Sequence, residues 1–98
     1  MGQSTSPAPA PARELIEANH EFPGEYLIKA FGPATEGFRV AIDAAAREAV
    51  GARVELRERI SSKGNSICIT LTLRAETVDE VILAYARLHD VPGLKMIL

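Results

Sequence analysis

The sequence has very little cysteine and few aromatic residues. Of its 98 residues, one is Cys, three are Phe, two are Tyr and none is Trp. A single thiol, Cys68, can form neither an internal disulfide nor a multi-cysteine metal site. His20 and His89 are too far apart in sequence to form a metal-ligand motif. We therefore expect no metal and no cofactor, and a core built from Ile, Leu, Val and Ala.

Long apolar runs and blocks of basic residues are also absent. No stretch approaches the roughly 20 apolar residues of a transmembrane helix, and the polar start does not have the pattern of a secretory signal. We therefore expect a cytoplasmic protein without membrane contact. The net charge is −2, so the overall attraction to phosphate that nucleic-acid binders use is missing, although a local basic patch remains open.

Proline is concentrated at the start of the chain. Residues 1–12 contain Pro7, Pro9 and Pro11 and have no periodic apolar face, which predicts a disordered tail. Residues 13–98 are enough for one domain, and we expect its core over residues 22–98. The tail is followed by a predicted short helical lead-in that ends before Phe22.

The first half of the domain shows a strand, a helix and a second strand. Residues 25–31 are apolar at nearly every position, as expected for a central strand covered on both faces. Residues 35–50 repeat apolar side chains at helical spacing, and Gly51 follows where helices often end. Residues 53–60 alternate charged and apolar side chains. This alternation predicts a half-exposed edge strand.

The second half repeats this order after a hairpin. Residues 61–65 predict the hairpin loop, with Gly64 suited to a positive φ. Residues 66–74 then alternate strictly, and a capping box at Thr77-Val78-Asp79-Glu80 opens a second helix. Residues 94–98 are the last strand. The row that we expect under the helices is Ile67, Ile69, Leu71 and Leu73.

The resulting order β-α-β-β-α-β predicts an α+β fold of the ferredoxin-like sandwich type. Right-handed crossovers place both helices on one face of a four-stranded antiparallel sheet. The other face is then free for interaction, because the fold itself does not cover it. The residues expected on this open face are Leu27, Lys29, Phe31, Cys68, Thr70, Thr72, Lys95 and Ile97.

Three local features carry a family resemblance. Phe22-Pro23 leads into a strand that contains Lys29 and ends at Gly32, the hairpin reads Ser61-Ser62-Lys63-Gly64, and the chain ends Lys95-Met96-Ile97-Leu98. Residues 22–98 thereby resemble the YbeD-like family, a small bacterial domain without an assigned activity. The resemblance implies a ferredoxin-like fold close in shape to the small-molecule-sensing ACT regulatory domains. Relatives often place an aromatic residue and one further residue after the hairpin glycine, whereas here Asn65 runs directly into Ser66. This departure from the family pattern indicates a shorter hairpin tip.

Two ligand sites can be named, and neither is catalytic. The hairpin residues Ser61, Ser62, Lys63 and Gly64 could present backbone N–H groups and one positive charge to a small anion, or simply form a turn. The loop at Gly32 is named because the corresponding loop of ACT-like domains tends to contact an amino-acid ligand. No pair of carboxylates is placed as acid and base, and the predicted middle strands lack the stacked aromatics of RNA-recognition domains.

These observations lead to two hypotheses of function. The first is a non-catalytic regulatory or protein-interaction module that acts through the open sheet face or an edge strand, by self-association or by docking on another protein. The alternative is an ACT-like sensor that binds a small metabolite at the loop after the first strand or at a dimer interface. We expect that the protein is not an enzyme and does not bind nucleic acid.

Overall fold

A computed structural model describes residues 11–98, which form three helices and four strands. The elements are α1 Arg13–Asn19, β1 Gly24–Pro33, α2 Glu36–Val50, β2 Val54–Ile60, β3 Ser66–Ala75, α3 Val78–His89 and β4 Met96–Ile97. Across residues 11–98, no helix has the length and apolar content needed to cross a membrane. The prediction of a disordered tail over residues 1–12 falls almost entirely outside the described residues.

The four strands form one antiparallel sheet in the order β2-β3-β1-β4. β3 pairs with β1 over ten residue pairs, from Gly24 opposite Ala75 to Pro33 opposite Ser66. β2 pairs with the other side of β3, and β4 pairs with the other side of β1. The predicted four-stranded antiparallel sheet is therefore confirmed, and so are the edge position of β2 and the central position of β1.

Only one face of the sheet is covered. Tyr26, Ile28 and Ala30 of β1 are buried, whereas Leu27 and Lys29 between them are exposed. The expectation that β1 is covered on both faces is therefore wrong. Its apolar run includes Leu27, whose side chain lies in solvent, so an unbroken apolar run does not show burial on both sides.

The core lies between this sheet face and helices α2 and α3. The predicted row of β3 is confirmed, since each of its four residues is at most 1% exposed. The helices contribute the buried side chains Phe38, Ile42, Ala46, Val81, Ala84 and Leu88. Three of these six residues are Ala or Val, whose small side chains let the helix backbones lie close to the sheet.

The starts of the two long helices differ from each other. At α2, Thr35 is the N-cap and its Oγ1 accepts a hydrogen bond from the Phe38 N–H at 3.1 Å. At α3, Thr77 occupies the N-cap position but its side chain makes no cap hydrogen bond. Glu80 instead accepts from the Glu76 N–H at 2.8 Å. The helix start is as predicted, but the reciprocal hydrogen bonds of a capping box are not formed.

Arg53 binds both oxygens of Glu80. The Arg53 guanidinium donates to Oε1 and Oε2 of Glu80 at 2.9 Å each, and to the backbone oxygen of Arg74 at 2.7 Å. This arrangement joins the chain just before β2 to β3 and α3. These hydrogen bonds to Arg53 hold the pKa of Glu80 below its ordinary value.

Replacing Glu80 with Gln is expected to reduce the acid sensitivity of the fold. Because the pKa of Glu80 is lowered in the folded state, its contribution is present above the unfolded-state pKa of about 4.3 and is lost as the pH falls through the folded pKa. We expect Glu80→Gln to lose about 1 kcal/mol of stability at pH 7, where the partly exposed pair is intact. Thermal unfolding at pH values between about 7 and 3 measures this difference.

The matched control is Glu48→Gln, which removes an exposed ion pair with Arg87 on the helix side. The gap between wild type and Glu80→Gln should narrow below about pH 4, while the Glu48→Gln curve stays close to wild type throughout. If the wild-type and Glu80→Gln curves run parallel over the whole pH range, the carboxylate of Glu80 does not contribute as inferred.

The last strand is shorter than predicted, and the residues expected on its open side lie on its covered side. Ile97 pairs with Ala30 and is buried among the core residues, while Met96 pairs with Phe31. Lys95 is exposed but precedes Met96 by one residue, so strand alternation places it on the same side as Ile97. The assignment of Lys95 and Ile97 to the open face is therefore wrong, and Met96 and Leu98 take their place.

Candidate binding face

The uncovered side of the sheet is the candidate binding surface, and we call it the open face. Six of the residues predicted there, those on β1 and β3, lie on it and are exposed or half-buried. Register with β3 adds three residues of β2, and pairing with β1 adds Met96 and Leu98. We use this name for Leu27, Lys29, Phe31, Glu55, Arg57, Arg59, Cys68, Thr70, Thr72, Met96 and Leu98. Glu25 and Arg74, which lie opposite each other, extend the same side of the sheet beyond them.

Cross-strand pairing arranges these residues in stripes. On the β1 and β4 side lies an apolar stripe, which we define as Leu27, Phe31, Met96 and Leu98. On the β2 side lies a basic stripe, which we define as Arg57 and Arg59. The half-buried Cys68, Thr70 and Thr72 of β3 separate the two stripes.

The apolar stripe is well exposed for large aliphatic side chains. Leu27 is 54% exposed, Met96 44% and Leu98 61%. Single exposed hydrophobic residues are normal on protein surfaces, but here three lie on neighbouring strands of the same face. In the register of β1 and β4, Phe31 lies opposite Met96, and Leu98 exchanges backbone hydrogen bonds with Lys29. The stripe therefore spans both strands, with Lys29 lying between Leu27 and Phe31 on β1.

The cations of the open face have no carboxylate partners. Of the described cations outside it, five form an ion pair and three do not: the paired ones are Arg13, Arg39, Arg47, Arg53 and Arg87, and the others are Lys63, Arg74 and Lys95. Among residues 11–98, the side chains of Lys29, Arg57 and Arg59 form none. The nearest acidic residue on the same side of β2 is Glu55, which lies two residues before Arg57. The hairpin end of the open face therefore carries a local excess of positive charge, although the chain as a whole is acidic.

A shallow depression of about 450 Å³ lies at this hairpin end. It brings together the open face and part of the predicted hairpin site. Lys63 and Gly64 of that site do not line it. The residues around the depression are Phe31, Arg59, Ile60, Ser61, Ser62, Ser66, Ile67 and Cys68.

The hairpin itself uses several of its backbone N–H groups internally. Gly64 N–H donates to the Ser61 oxygen at 2.9 Å, and Ser61 N–H donates to the Ser66 oxygen at 2.8 Å. Ser66 N–H donates to the Ser61 Oγ at 3.2 Å. These donors are not available to an anion, so the geometry favours the simple turn. Gly64 has a φ of +82°, the positive value expected at this position.

Gly32 lies on the covered side of the sheet, away from the open face. It is buried, and a Cβ built on it would lie 2.4 to 2.8 Å from three ring atoms of Phe38. The aromatic ring of Phe38 on α2 therefore fills the space beside Gly32 on the covered side of the sheet. This packing explains why a residue without a side chain stands here.

Groups with perturbed pKa values lie elsewhere and have structural explanations. Tyr26 and Tyr85 share a hydroxyl hydrogen bond of 3.1 Å in the core, and burial raises the pKa of Tyr85. Glu80 is held by Arg53, as described above. Within residues 11–98, no three His, Cys, Asp or Glu side chains come together as a metal site. Neither Tyr85 nor Glu80 lies on the open face, so these perturbed pKa values carry no evidence for acid–base chemistry there.

The sequence did not predict five residues of the open face, which are Glu55, Arg57, Arg59, Met96 and Leu98. Arg57 and Arg59 were assigned to the charged side of an edge strand, and β2–β3 pairing would have joined that side to the open face. Met96 and Leu98 were missed because residues 94–98 have apolar side chains on both sides of the strand. The sequence pattern therefore contained the basic stripe, but it did not specify which side chains of β4 face the open side.

Comparison with known families identifies the family of this chain. A family model matches residues 17–98 of the chain. The chain belongs to the DUF493 family, described as proteins of unknown function. This DUF493 membership agrees with the resemblance to a small domain of unassigned activity that Phe22-Pro23, Ser61-Ser62-Lys63-Gly64 and the chain ending indicated. No curated protein matches the DUF493 chain closely enough to name a relative.

Proposed function

We propose that this DUF493 domain is a non-catalytic binding module that docks another protein on its open face. The observation that carries the proposal is the uncovered sheet face itself, where Leu27, Met96 and Leu98 are exposed beside cations without partners. Burying exposed apolar surface contributes roughly 25 cal/mol per Å². A surface of this kind is a common mark of protein interaction sites.

Docking through the face is better supported than pairing through the edge. At the edge, β2 carries four exposed charged residues, Glu55, Arg57, Glu58 and Arg59. Charged side chains on an edge strand oppose pairing with a second sheet. We therefore place the contact on the face and not along β2.

We also propose that the domain is of the ferredoxin-like type. The support is the succession β1, α2, β2, β3, α3, β4 and a sheet order in which β1 and β3 are the central strands. Helix α1 is an addition before this unit, and its Ile16 packs into the same core. This arrangement leaves the open face accessible.

Photo-crosslinking in cells tests the docking proposal. A benzophenone amino acid replacing Thr70 lies at the centre of the open face, and the same group replacing Val40 lies on the exposed side of α2. We expect discrete adducts with another protein from position 70 and far fewer from position 40. Leu27→Ser should reduce the adducts of position 70.

The outcomes separate the alternatives. An adduct of twice the chain mass from position 70 would identify self-association, which is a different use of the same face. Equal yields from both positions, or no adduct from position 70, would contradict a docking role for the open face.

The sensor hypothesis rests on the resemblance to ACT-like domains alone. Its measurement is a thermal-shift screen with amino acids and small carboxylates, since a ligand at a hundredfold excess over its Kd stabilises the folded state by about 2.7 kcal/mol. A reproducible shift from such a ligand would favour sensing over docking.

A further inference from the structure

The stripes of the open face define the chemistry of a partner. We propose that the open face binds an amphipathic helix of another protein, with apolar residues over the apolar stripe and acidic residues along the flank that faces Arg57 and Arg59. This inference rests on the proposed docking function and adds the shape and charge of the partner segment.

The width of the sheet fits one helix. Neighbouring strands lie about 4.8 Å apart, so the distance from β4 to β2 is roughly 14 Å. An α-helix with its side chains is about 10–12 Å wide. A helix lying along β1 and β3 would therefore reach the apolar stripe with one flank and the basic stripe with the other. On the β3 side of its axis the small side chains of Cys68, Thr70 and Thr72 leave room for it, and on the β1 side Lys29 lies opposite Thr70.

The lengths of the stripes also match helical repeats. Leu27 and Phe31 are four residues apart on β1, which is about 13 Å, or between two and three helical turns. Arg57 and Arg59 are two residues apart on β2, about 7 Å, close to the 6 Å between helix positions i and i+4. Two acidic residues at i and i+4 on the helix flank would then face the two arginines.

The charge argues for an acidic partner. Lys29, Arg57 and Arg59 have no ion-pair partner among the described residues, and a neutral partner would desolvate them without compensation. Face-to-face pairing with a second copy of this chain would set the same three cations against each other. Residues 1–10 contain no acidic side chain, so the start of the chain offers no complementary charge.

Nucleic acid fits the face less well than a helix. Single-stranded nucleic acids are held by aromatic side chains on which bases stack. In the described part of the chain, Phe31 is the one aromatic residue on the open face, and it is half-buried. The exposed stripe is aliphatic, which suits leucine-type side chains of a helix.

A display library tests the proposal without requiring a known partner. The library encodes helices of about 14 residues with leucine at helical spacing and with flank positions randomised among Glu, Lys, Gln and Ser. Selection on the full chain is expected to enrich Glu along one flank. Selection on Arg57→Glu/Arg59→Glu is expected to enrich Lys at the same positions, because the basic stripe is then acidic.

Matched controls separate local contact from net charge. The variant Arg47→Glu/Arg87→Glu changes the net charge equally, but its substitutions lie on α2 and α3, so it should still enrich Glu. For the selected acidic peptide, fluorescence anisotropy should show about tenfold weaker binding to Arg57→Glu/Arg59→Glu, since each exposed pair contributes at most about 1 kcal/mol.

Three results would overturn the proposal. These are no charge preference on either flank, the same preference for wild type and Arg57→Glu/Arg59→Glu, or tighter binding of a single-stranded oligonucleotide than of the selected peptide. If crosslinks from position 70 are found while no helix is selected, docking stands and the helical partner is wrong. If position 70 gives no crosslinks, the docking function itself fails.

Discussion

Leu71→Ala is expected to lower the free energy of unfolding by about 2–5 kcal/mol, the range measured for truncation of fully buried leucines. Leu71 lies in the middle of β3, which is flanked by β1 and β2, and its side chain has no exposed surface. Removing it leaves a cavity beneath the helices that the neighbouring strands cannot close. Since domains of this size are stable by only about 5–15 kcal/mol, the loss is a large fraction of the total.

Chemical denaturation of Leu71→Ala measures this loss, and two companion variants make it interpretable. Leu71→Ile keeps the volume and should cost less than about 1.5 kcal/mol, so it remains folded if the alanine variant does not. Thr72→Ala, the next residue on the open face, should change stability by no more than about 0.5 kcal/mol. Equal effects at positions 71 and 72 would mean that the helices do not cover only one side of the sheet.

Gly32→Ala is expected to destabilise the domain by about 1–3 kcal/mol through overpacking. The new methyl group would lie 2.4 Å from the nearest ring atom of Phe38, so the ring must move out of its place in the core. Gly32 lies within β1 opposite Ile67 and is packed against the core. Thermal or chemical unfolding of the variant measures the cost.

Gly37→Ala is the matched control because a Cβ there meets nothing within 4 Å and the residue lies in α2. It should be neutral or stabilising by up to about 1 kcal/mol. In the double variant Gly32→Ala/Phe38→Leu, the two costs should be less than additive by about 1 kcal/mol, because the smaller side chain makes room for the methyl group. Additive costs would show that Phe38 does not occupy the space beside Gly32.

The two proposals depend on different features of the open face. Docking requires only that the apolar stripe is accessible, whereas the helical partner also requires the spacing and charge of Arg57 and Arg59. Crosslinking from position 70 and the charge preference of selected helices therefore examine separate claims. Binding of an acidic helix would predict an affinity that falls as salt increases, since exposed charges are screened.

The helix-covered half of the fold could be read largely from the sequence. The alternation of β3 predicted its buried row, because successive side chains of a strand point to opposite faces and only one set is apolar. The charged residues of β2 predicted an edge strand. The helical spacing over residues 35–50 indicated the extent of α2, and Gly51, which adopts a φ of +63°, indicated its end. These are local properties, fixed by neighbours in the chain.

Only the tertiary structure decided which residues of β4 belong to the open face. Residues 94–98 have apolar side chains on both sides of the strand. The pairing of Ile97 with Ala30 therefore determined that Met96 and Leu98 point outward. Likewise, Glu80 had a local capping role available, but sheet pairing brought Arg53 to it from 27 residues away. Register and ion-pair partners depend on which distant segments become neighbours, and no local pattern in the sequence specifies that.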